Sequence, residues 1–129
     1  MQSERRATTE ITETVPDTVR RTARDLLDVE GRLRMVVELA RDRFMAREVW
    51  VFGSRARGDH RQDSDWDILI VVDDDTSDEA LDPVRLWRVG RDAGLVADVI
   101  ADRVSDLRAC EDVATTLPYD IKREGVRLA

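Results

Sequence analysis

Carboxylate side chains in two apolar segments of the chain could hold a divalent cation. Asp65 and Asp67 are two residues apart in a strand-like run, and strand residues at this spacing project from the same face. Asp98 lies in a second apolar run, residues 95–101, which a neighbouring strand could bring to the same place. Magnesium prefers oxygen ligands and keeps positions for waters and phosphates, so two or three aspartates suffice. The pattern predicts Asp65, Asp67 and Asp98 as metal ligands.

A glycine–serine pair precedes these carboxylates. Gly53 and Ser54 are separated from Asp65 by ten residues. Glycine has no Cβ and lets the backbone approach a phosphate, while Ser54 can donate its hydroxyl and amide at the start of the following turn. Arg55 or Arg57 could then meet the β- or γ-phosphate, because guanidinium groups match phosphate geometry. Three carboxylates near such a turn indicate chemistry on a nucleoside triphosphate.

The apolar pattern predicts the elements that position these residues. Apolar residues recur in steps of three or four from Val19 to Phe44, which predicts a helical stripe that begins near Pro16 and that Gly31 could split in two. The short β-branched run 48–52 and the continuous apolar run 66–72 predict two central strands.

Three further helices and a third strand are predicted downstream. A helix is expected over 78–91, with Pro83 near a first turn or a break, then a strand over 95–101, a helix over about 103–114 and a short one from Pro118 to Gly125. The order helix, strand, strand, helix, strand, helix predicts an α/β sandwich in which helices flank a small mixed sheet.

Length and composition bound the domain organisation. The 129 residues allow one ordinary domain, with residues 1–15 expected to form a disordered or loosely attached tail and 16–129 the single domain. Because no run of 18 apolar residues occurs and the first 16 residues lack the apolar core of a signal peptide, we expect a cytoplasmic protein without a membrane segment. The single cysteine, Cys110, excludes an internal disulfide.

The net charge of −7 comes from an excess of acidic residues in one segment of the chain. Residues 48–82 carry 3 basic against 11 acidic side chains, whereas 1–47 carry 10 against 9 and 83–129 carry 8 against 8. Such a surface is unfavourable for sequence-independent binding of nucleic acid, which depends on basic groups that neutralise phosphates. Divalent cations fit it better. For five of these acidic residues we expect only a solvated loop: Asp73, Asp74, Asp75, Asp78 and Asp82.

Two sequence segments carry a resemblance to a known family. Phe52-Gly53-Ser54-Arg55-Ala56-Arg57-Gly58 followed by Asp63-Ser64-Asp65-Trp66-Asp67-Ile68-Leu69 resembles the signature of the minimal nucleotidyltransferases of the DNA polymerase β-like superfamily. In that family a third aspartate lies on a later strand, for which Asp98 is the counterpart. The closing stretch 122–128 also resembles the usual ending of the family. The resemblance covers roughly residues 20–129 and implies a nucleotidyltransferase fold.

The resemblance implies a reaction and a partner. A hydroxyl would attack the α-phosphate of ATP, with two Mg²⁺ ions bound by Asp65, Asp67 and Asp98, and Asp98 would also help to deprotonate the acceptor. Larger relatives add a domain that grips the acceptor, and this chain is short. Stand-alone members act as antitoxins that place AMP on a tyrosine of a HEPN-domain RNase toxin, which is the leading hypothesis.

Two alternatives stay open. A dimer of the chain could nucleotidylate a small hydroxylated molecule such as an aminoglycoside. Alternatively, the chain could be a noncatalytic module that inhibits a partner toxin by occlusion. The sequence does not distinguish these readings, and no residue in the motif selects adenine over other bases.

Overall fold

The computed structural model describes residues 21–129, so the predicted tail over 1–15 and the predicted helix start at Pro16 lie outside the described residues. Four strands form one mixed sheet within this range: β1 (Glu48–Phe52), β2 (Trp66–Val72), β3 (Ala97–Arg103) and β4 (Val126–Arg127). Their order across the sheet is β3-β2-β1-β4. β2 pairs with β3 in parallel, while β1 pairs with β2 and β4 antiparallel. The predicted class, a small mixed sheet flanked by helices, is confirmed.

The helices follow the predicted order. The amino-terminal stripe is divided into α1 (Ala23–Val29) and α2 (Arg32–Phe44), with Gly31 at the break as predicted. A capping box between Thr22 and Asp25 starts α1. The remaining helices are α3 (Ser54–Arg57), α4 (Pro83–Ala93), α5 (Val104–Cys110) and α6 (Leu117–Glu124). Pro83 occupies the first turn of α4, where its missing amide costs no hydrogen bond.

Helices cover both faces of the sheet, which explains the continuous apolar run of β2. Ile68, Ile70 and Val72 join one core with α1, α2 and α4. Leu69 and Val71 join a second, smaller core with Leu107 of α5 and Ile121 of α6. We refer to these as the α2/α4 face and the α5/α6 face. Since alternate strand residues point to opposite faces, Asp65 and Asp67 share the α5/α6 face with Leu69.

Three boundaries and two short elements differ from the predictions. The helix expected over 78–91 begins at Pro83 and ends at Ala93. The third strand spans Ala97–Arg103 rather than 95–101, because the apolar pair at 95 and 96 belongs to the approach from Gly94. α5 ends at Cys110, four residues early, where the Thr116 hydroxyl donates hydrogen bonds to the carbonyls of Cys110 and Val113. α3 and β4, which have four and two residues, were not predicted; such short elements carry no periodicity to detect.

The acidic run after β2 lies in a loop, as predicted, with Asp73 partly buried and Asp74, Asp75, Asp78 and Asp82 exposed, and several of these side chains are tethered. Asp73 pairs with Arg47 at 2.5 Å, Asp74 accepts a hydrogen bond from the Ser105 amide at the start of α5, and Asp78 pairs with Arg103 at 2.8 Å. These contacts fix the loop between β2 and α4. In residues 21–129, no helix is long and apolar enough to cross a membrane.

Candidate active site

Two carboxylates from neighbouring strands meet at one edge of the sheet. Asp67 on β2 and Asp98 on β3 are direct partners in the parallel pairing. Direct partners in a sheet project from the same face. Asp65, one residue before β2, projects from the same face as Asp67. The structure therefore places Asp65, Asp67 and Asp98 on the α5/α6 face, with Asp67 and Asp98 side by side.

The neighbouring carboxylates disfavour ionisation of Asp67. Burial raises the pKa of the half-buried Asp67 above its usual value, and the charges of Asp98 and Asp65 raise it further, while Arg57 opposes them. Both effects disfavour the ionised form of Asp67. A cation placed between the carboxylates would relieve the penalty.

Gly53 lies directly beneath this carboxylate. Its φ of 72° and ψ of −156° fall in a region that is essentially restricted to glycine. A Cβ built at Gly53 would overlap Asp67 Oδ2. The absence of a side chain at position 53 thus makes room for Asp67, a role that the sequence analysis did not anticipate because it considered only the approach of a phosphate.

The turn after Gly53 is a single turn of helix, α3. The Gly53 carbonyl accepts hydrogen bonds from the amides of Ala56 and Arg57, and the Ser54 carbonyl accepts one from the Gly58 amide at 2.8 Å. The amides of Ser54 and Arg55 lie in the first turn and so have no intrahelical acceptor. Gly53 and Ser54 hence stand at the start of α3, beside the carboxylates.

The two arginines of the motif point to different places. Arg55 donates hydrogen bonds to the Ser64 carbonyl at 2.7 and 3.2 Å and to the Gln62 carbonyl at 3.3 Å. Its guanidinium also lies 4.7 Å from the centre of the Trp66 ring, and Trp66 belongs to the α2/α4 face. Arg55 therefore holds the loop before β2. The structure does not bring it to the carboxylates.

Arg57 lies on the carboxylate side. It pairs with Asp59 at 3.2 Å and with Glu124 of α6 at 3.5 Å, and its charge lowers the pKa of Asp67. Of the two arginines, Arg57 is the one near enough to Asp67 to lower its pKa. Glu124 was not among the predicted site residues, although it lies in the closing stretch that carried the resemblance.

The carboxylates fit a magnesium ion that is completed by its substrate. As the side chains stand, the described residues contain no group of three His, Cys, Asp or Glu side chains that could hold a metal ion by itself. Magnesium, however, is commonly bound by one or two carboxylates together with waters and substrate phosphates. The Asp67–Asp98 pair, with oxygen donors and mutual repulsion, meets that requirement.

The paired carboxylates differ in burial. Asp98 is exposed, because β3 is the edge strand of the sheet. Asp67 lies on a central strand and is half-buried, so it is the carboxylate on which the cost of desolvation falls.

One family model matches most of the chain. The model, described as a nucleotidyltransferase domain, matches residues 33–125, a range that includes every predicted site residue. A comparison with curated proteins finds no significant match.

Two solved structures are similar to the chain. A crystal structure of a toxin–antitoxin with AMP-PNP is 21% identical, covers 74% of this chain and 71% of its own, and superposes with a TM-score of 0.55, which indicates a shared fold. A candidate nucleotidyltransferase from Sulfolobus solfataricus is 28% identical over 58% of this chain and 70% of its own, with a TM-score of 0.35.

Proposed function

The chain belongs to the nucleotidyltransferase domain family and is a nucleotidyltransferase, and we propose that it transfers AMP from ATP to a hydroxyl group in a magnesium-dependent reaction. The acceptor oxygen attacks the α-phosphorus, the bond to the bridging oxygen of the β-phosphate breaks, and pyrophosphate leaves. The AMP-PNP in the structurally similar toxin–antitoxin crystal supports ATP as the donor.

The observation that carries this proposal is the pairing of Asp67 with Asp98. Two carboxylates held side by side, with Asp65 on the same face, form an oxygen-rich edge beside the start of α3. Asp65, Asp67 and Asp98 would hold Mg²⁺, two ions as the family resemblance implies, and the metal would neutralise the charge that develops on the phosphates. Asp98 is exposed and can accept the proton of the acceptor hydroxyl.

The other motif residues would bind the triphosphate or position the groups that do. The first-turn amides of α3, next to Gly53 and Ser54, can donate hydrogen bonds to phosphate oxygens. Arg57 contributes a positive charge close to the carboxylates and can contact the leaving pyrophosphate. Arg55 contributes indirectly, because its contacts with the Ser64 and Gln62 carbonyls hold the loop that leads into Asp65.

We further propose that the acceptor is a tyrosine of a partner toxin of the HEPN RNase class and that the chain acts as the antitoxin in the cytoplasm. Two observations support this. The family resemblance carried by residues 52–58 and 63–69 implies it, and the similar fold of TM-score 0.55 comes from a toxin–antitoxin structure.

The test is AMP transfer to a co-purified toxin, measured by intact-protein mass spectrometry with ATP and Mg²⁺. We expect a gain of one AMP on a toxin tyrosine, and loss of that gain for Asp65→Asn and Asp67→Asn. Asp63→Asn is the matched control, because Asp63 is an exposed loop carboxylate outside the strand, and it should retain transfer. Full labelling by Asp67→Asn would refute the assignment of the site.

The same experiment separates the alternatives. Silencing of the toxin without any mass gain, equally by the wild type and Asp67→Asn, would indicate a noncatalytic module. Transfer to an aminoglycoside but not to the toxin would indicate a small-molecule enzyme.

A further inference from the structure

Asp98, one of the two paired carboxylates, lies on a strand that is open on its outer side. β3 forms one edge of the sheet, and within residues 21–129 no other strand pairs with that edge. β3 pairs with β2 through all seven of its residues without a bulge, and it contains no proline or glycine. A strand at the edge of a sheet presents unpaired amide and carbonyl groups, which are a template for an added strand. This template lies next to the candidate active site.

Alternate residues of β3 direct their backbone groups toward the open edge. The Trp66 amide donates to the Val96 carbonyl at 3.0 Å, and in a parallel pair such bonds recur at every second residue. The residues of β3 that bond to β2 in this way are Asp98, Ile100 and Asp102. The residues whose amide and carbonyl groups face the open edge are therefore Ala97, Val99 and Ala101.

The side chains along this edge define the kind of segment that would fit it. Those on the α5/α6 face are Asp98, Ile100 and Asp102. Ile100 borders a small apolar cavity of about 60 Å³ that Leu117 of α6 also lines. Asp102 is half-buried and accepts a hydrogen bond from the Arg103 amide at 2.9 Å, while the Arg103 side chain pairs with Asp78 instead. A segment with an apolar side chain at Ile100 and a basic one at Asp102 would complement this edge.

We propose that the acceptor protein binds as an extended segment that adds a strand to the outer edge of β3, with the acceptor tyrosine paired with Asp98. The inference rests on the proposed function, AMP transfer to a protein tyrosine. Strand addition supplies affinity through backbone hydrogen bonds and specificity through alternate side chains. The segment carries an apolar residue opposite Ile100 and a lysine or arginine opposite Asp102.

Pairing with Asp98 brings the acceptor into the same row as the paired carboxylates. Asp98 is the direct partner of Asp67, so a residue on the outer side of Asp98 projects from the same face, at a cross-strand separation of about 5 Å. A tyrosine hydroxyl extends further from its strand than an aspartate carboxylate does. The hydroxyl therefore stands above the carboxylates, and the exposed Asp98 is next to it. Asp98 accepts its proton as the oxygen bonds to the α-phosphorus and pyrophosphate leaves.

Two synthetic peptides test this surface on the full chain. The sequence Thr-Tyr-Thr-Val-Thr-Lys-Thr and its reverse, with blocked ends, place tyrosine opposite Asp98 in a parallel and an antiparallel pairing, with lysine opposite Asp102. Amide hydrogen exchange of the chain is measured by NMR with and without each peptide. With one of them, at about ten times its Kd, the amides of Val99 and Ala101 should exchange about tenfold more slowly. The amides that already bond to β2 should change little.

Charge reversal supplies matched controls. Replacement of the peptide lysine by glutamate should weaken binding by about threefold or more, because like charges would then meet at Asp102. Asp102→Lys should reverse that preference, whereas Asp28→Lys, at an exposed position in α1, should keep it. Ala101→Pro removes an amide that faces the edge but none that bonds to β2, and it should weaken binding of both peptides. If either β3 variant fails to fold, the two peptides compared on the wild-type chain decide.

The surface and the reaction can fail separately, because AMP transfer to the peptide tyrosine with ATP and Mg²⁺ is measured by mass spectrometry on the same samples. Protection of Val99 and Ala101 without AMP on the peptide would sustain the surface and count against the proposed function. AMP on the peptide without that protection would sustain the reaction and overturn the surface. Unchanged exchange at millimolar peptide, equal slowing of all β3 amides, or protection of Val99 and Ala101 in the free chain would each overturn the surface as well.

Discussion

Gly53 and Asp67 are in direct contact: the glycine Cα lies so close to the carboxylate that a Cβ at position 53 would overlap Asp67 Oδ2. The contact connects the turn after β1 with the aspartate of β2, whose strands pair Phe52 with Asp67. The motif is thus a packed unit in which one residue of the turn sets the position of one residue of the strand.

Gly53→Ala should damage both stability and activity. An added Cβ must displace the Asp67 carboxylate. An alanine at position 53 would also be strained at the φ of 72°, at a cost of about 1–3 kcal/mol. We expect a lower melting temperature and a loss of AMP transfer of at least about tenfold, measured by thermal unfolding and a labelling assay. Gly31→Ala is the control: an added Cβ there meets nothing within 4 Å, and φ is −62°, so stability should hold or rise slightly. Equal effects of the two substitutions would contradict this account.

Asp67→Asn should stabilise the fold at neutral pH while it abolishes transfer. Because the pKa of Asp67 is raised in the native state, the folded chain binds this proton more tightly than the unfolded chain. The free energy of unfolding therefore falls as pH rises through the interval between the ordinary and the raised pKa, and it stays lower above that interval. Asparagine carries no charge, so the gain over wild type should be full above the raised pKa and disappear below the ordinary value of about 3.8.

Urea unfolding of wild type and Asp67→Asn at several pH values without divalent cations measures this gain. Asp98→Asn should recover part of it, because Asp98 is one of the charges that raise the pKa of Asp67. Asp67→Asn that is less stable than the wild type at neutral pH would show that the carboxylate is favourably compensated in the native state.

Substitutions at Arg55 and Arg57 should affect different properties, the first the stability of the fold and the second the binding of ATP. Arg55→Ala removes the hydrogen bonds to the Ser64 and Gln62 carbonyls and the contact with Trp66, which we expect to cost about 1–3 kcal/mol. Arg57→Ala removes only exposed ion pairs, worth about 0–1 kcal/mol, but should weaken ATP binding. Chemical denaturation and calorimetric titration of ATP with Mg²⁺ measure the two effects. Weaker ATP binding for Arg55→Ala at unchanged stability would reverse the assignment.

Gly125→Ala should destabilise the chain for reasons of space alone. The φ of Gly125 is −72°, which any residue can adopt, but an added Cβ would lie 2.5 Å from the Ile121 carbonyl oxygen and 3.1 Å from Trp50 Cε3. The end of α6 must then move away from β1, at an expected cost of about 1–3 kcal/mol. Thermal unfolding beside Gly31→Ala measures this. An unchanged melting temperature would show that α6 can shift without loss.

The sequence predicted the two central strands together with their first and last residues. β1 and β2 span the predicted 48–52 and 66–72, because short apolar runs of β-branched residues bounded by polar turns are local signals. The edge strand β3 was displaced by two residues, α5 ends early, and β4 was missed. The limits of β3 depend on its pairing with β2, the end of α5 depends on Thr116, and β4 depends on its pairing with β1. These partners lie outside the elements themselves, so the local pattern of each element does not reveal them.

The sequence by itself determined that Asp65 and Asp67 share a face and that a residue without a Cβ opens the turn at Ser54, since both follow from the geometry of a strand and the chemistry of glycine. Only the tertiary structure decided that Asp98 pairs with Asp67, that Gly53 makes room for the Asp67 carboxylate, and that Arg57 rather than Arg55 lies on the carboxylate side. Register across a parallel pair is set by the packing of the connecting segment, here 73–96, against the sheet, and no local pattern encodes it.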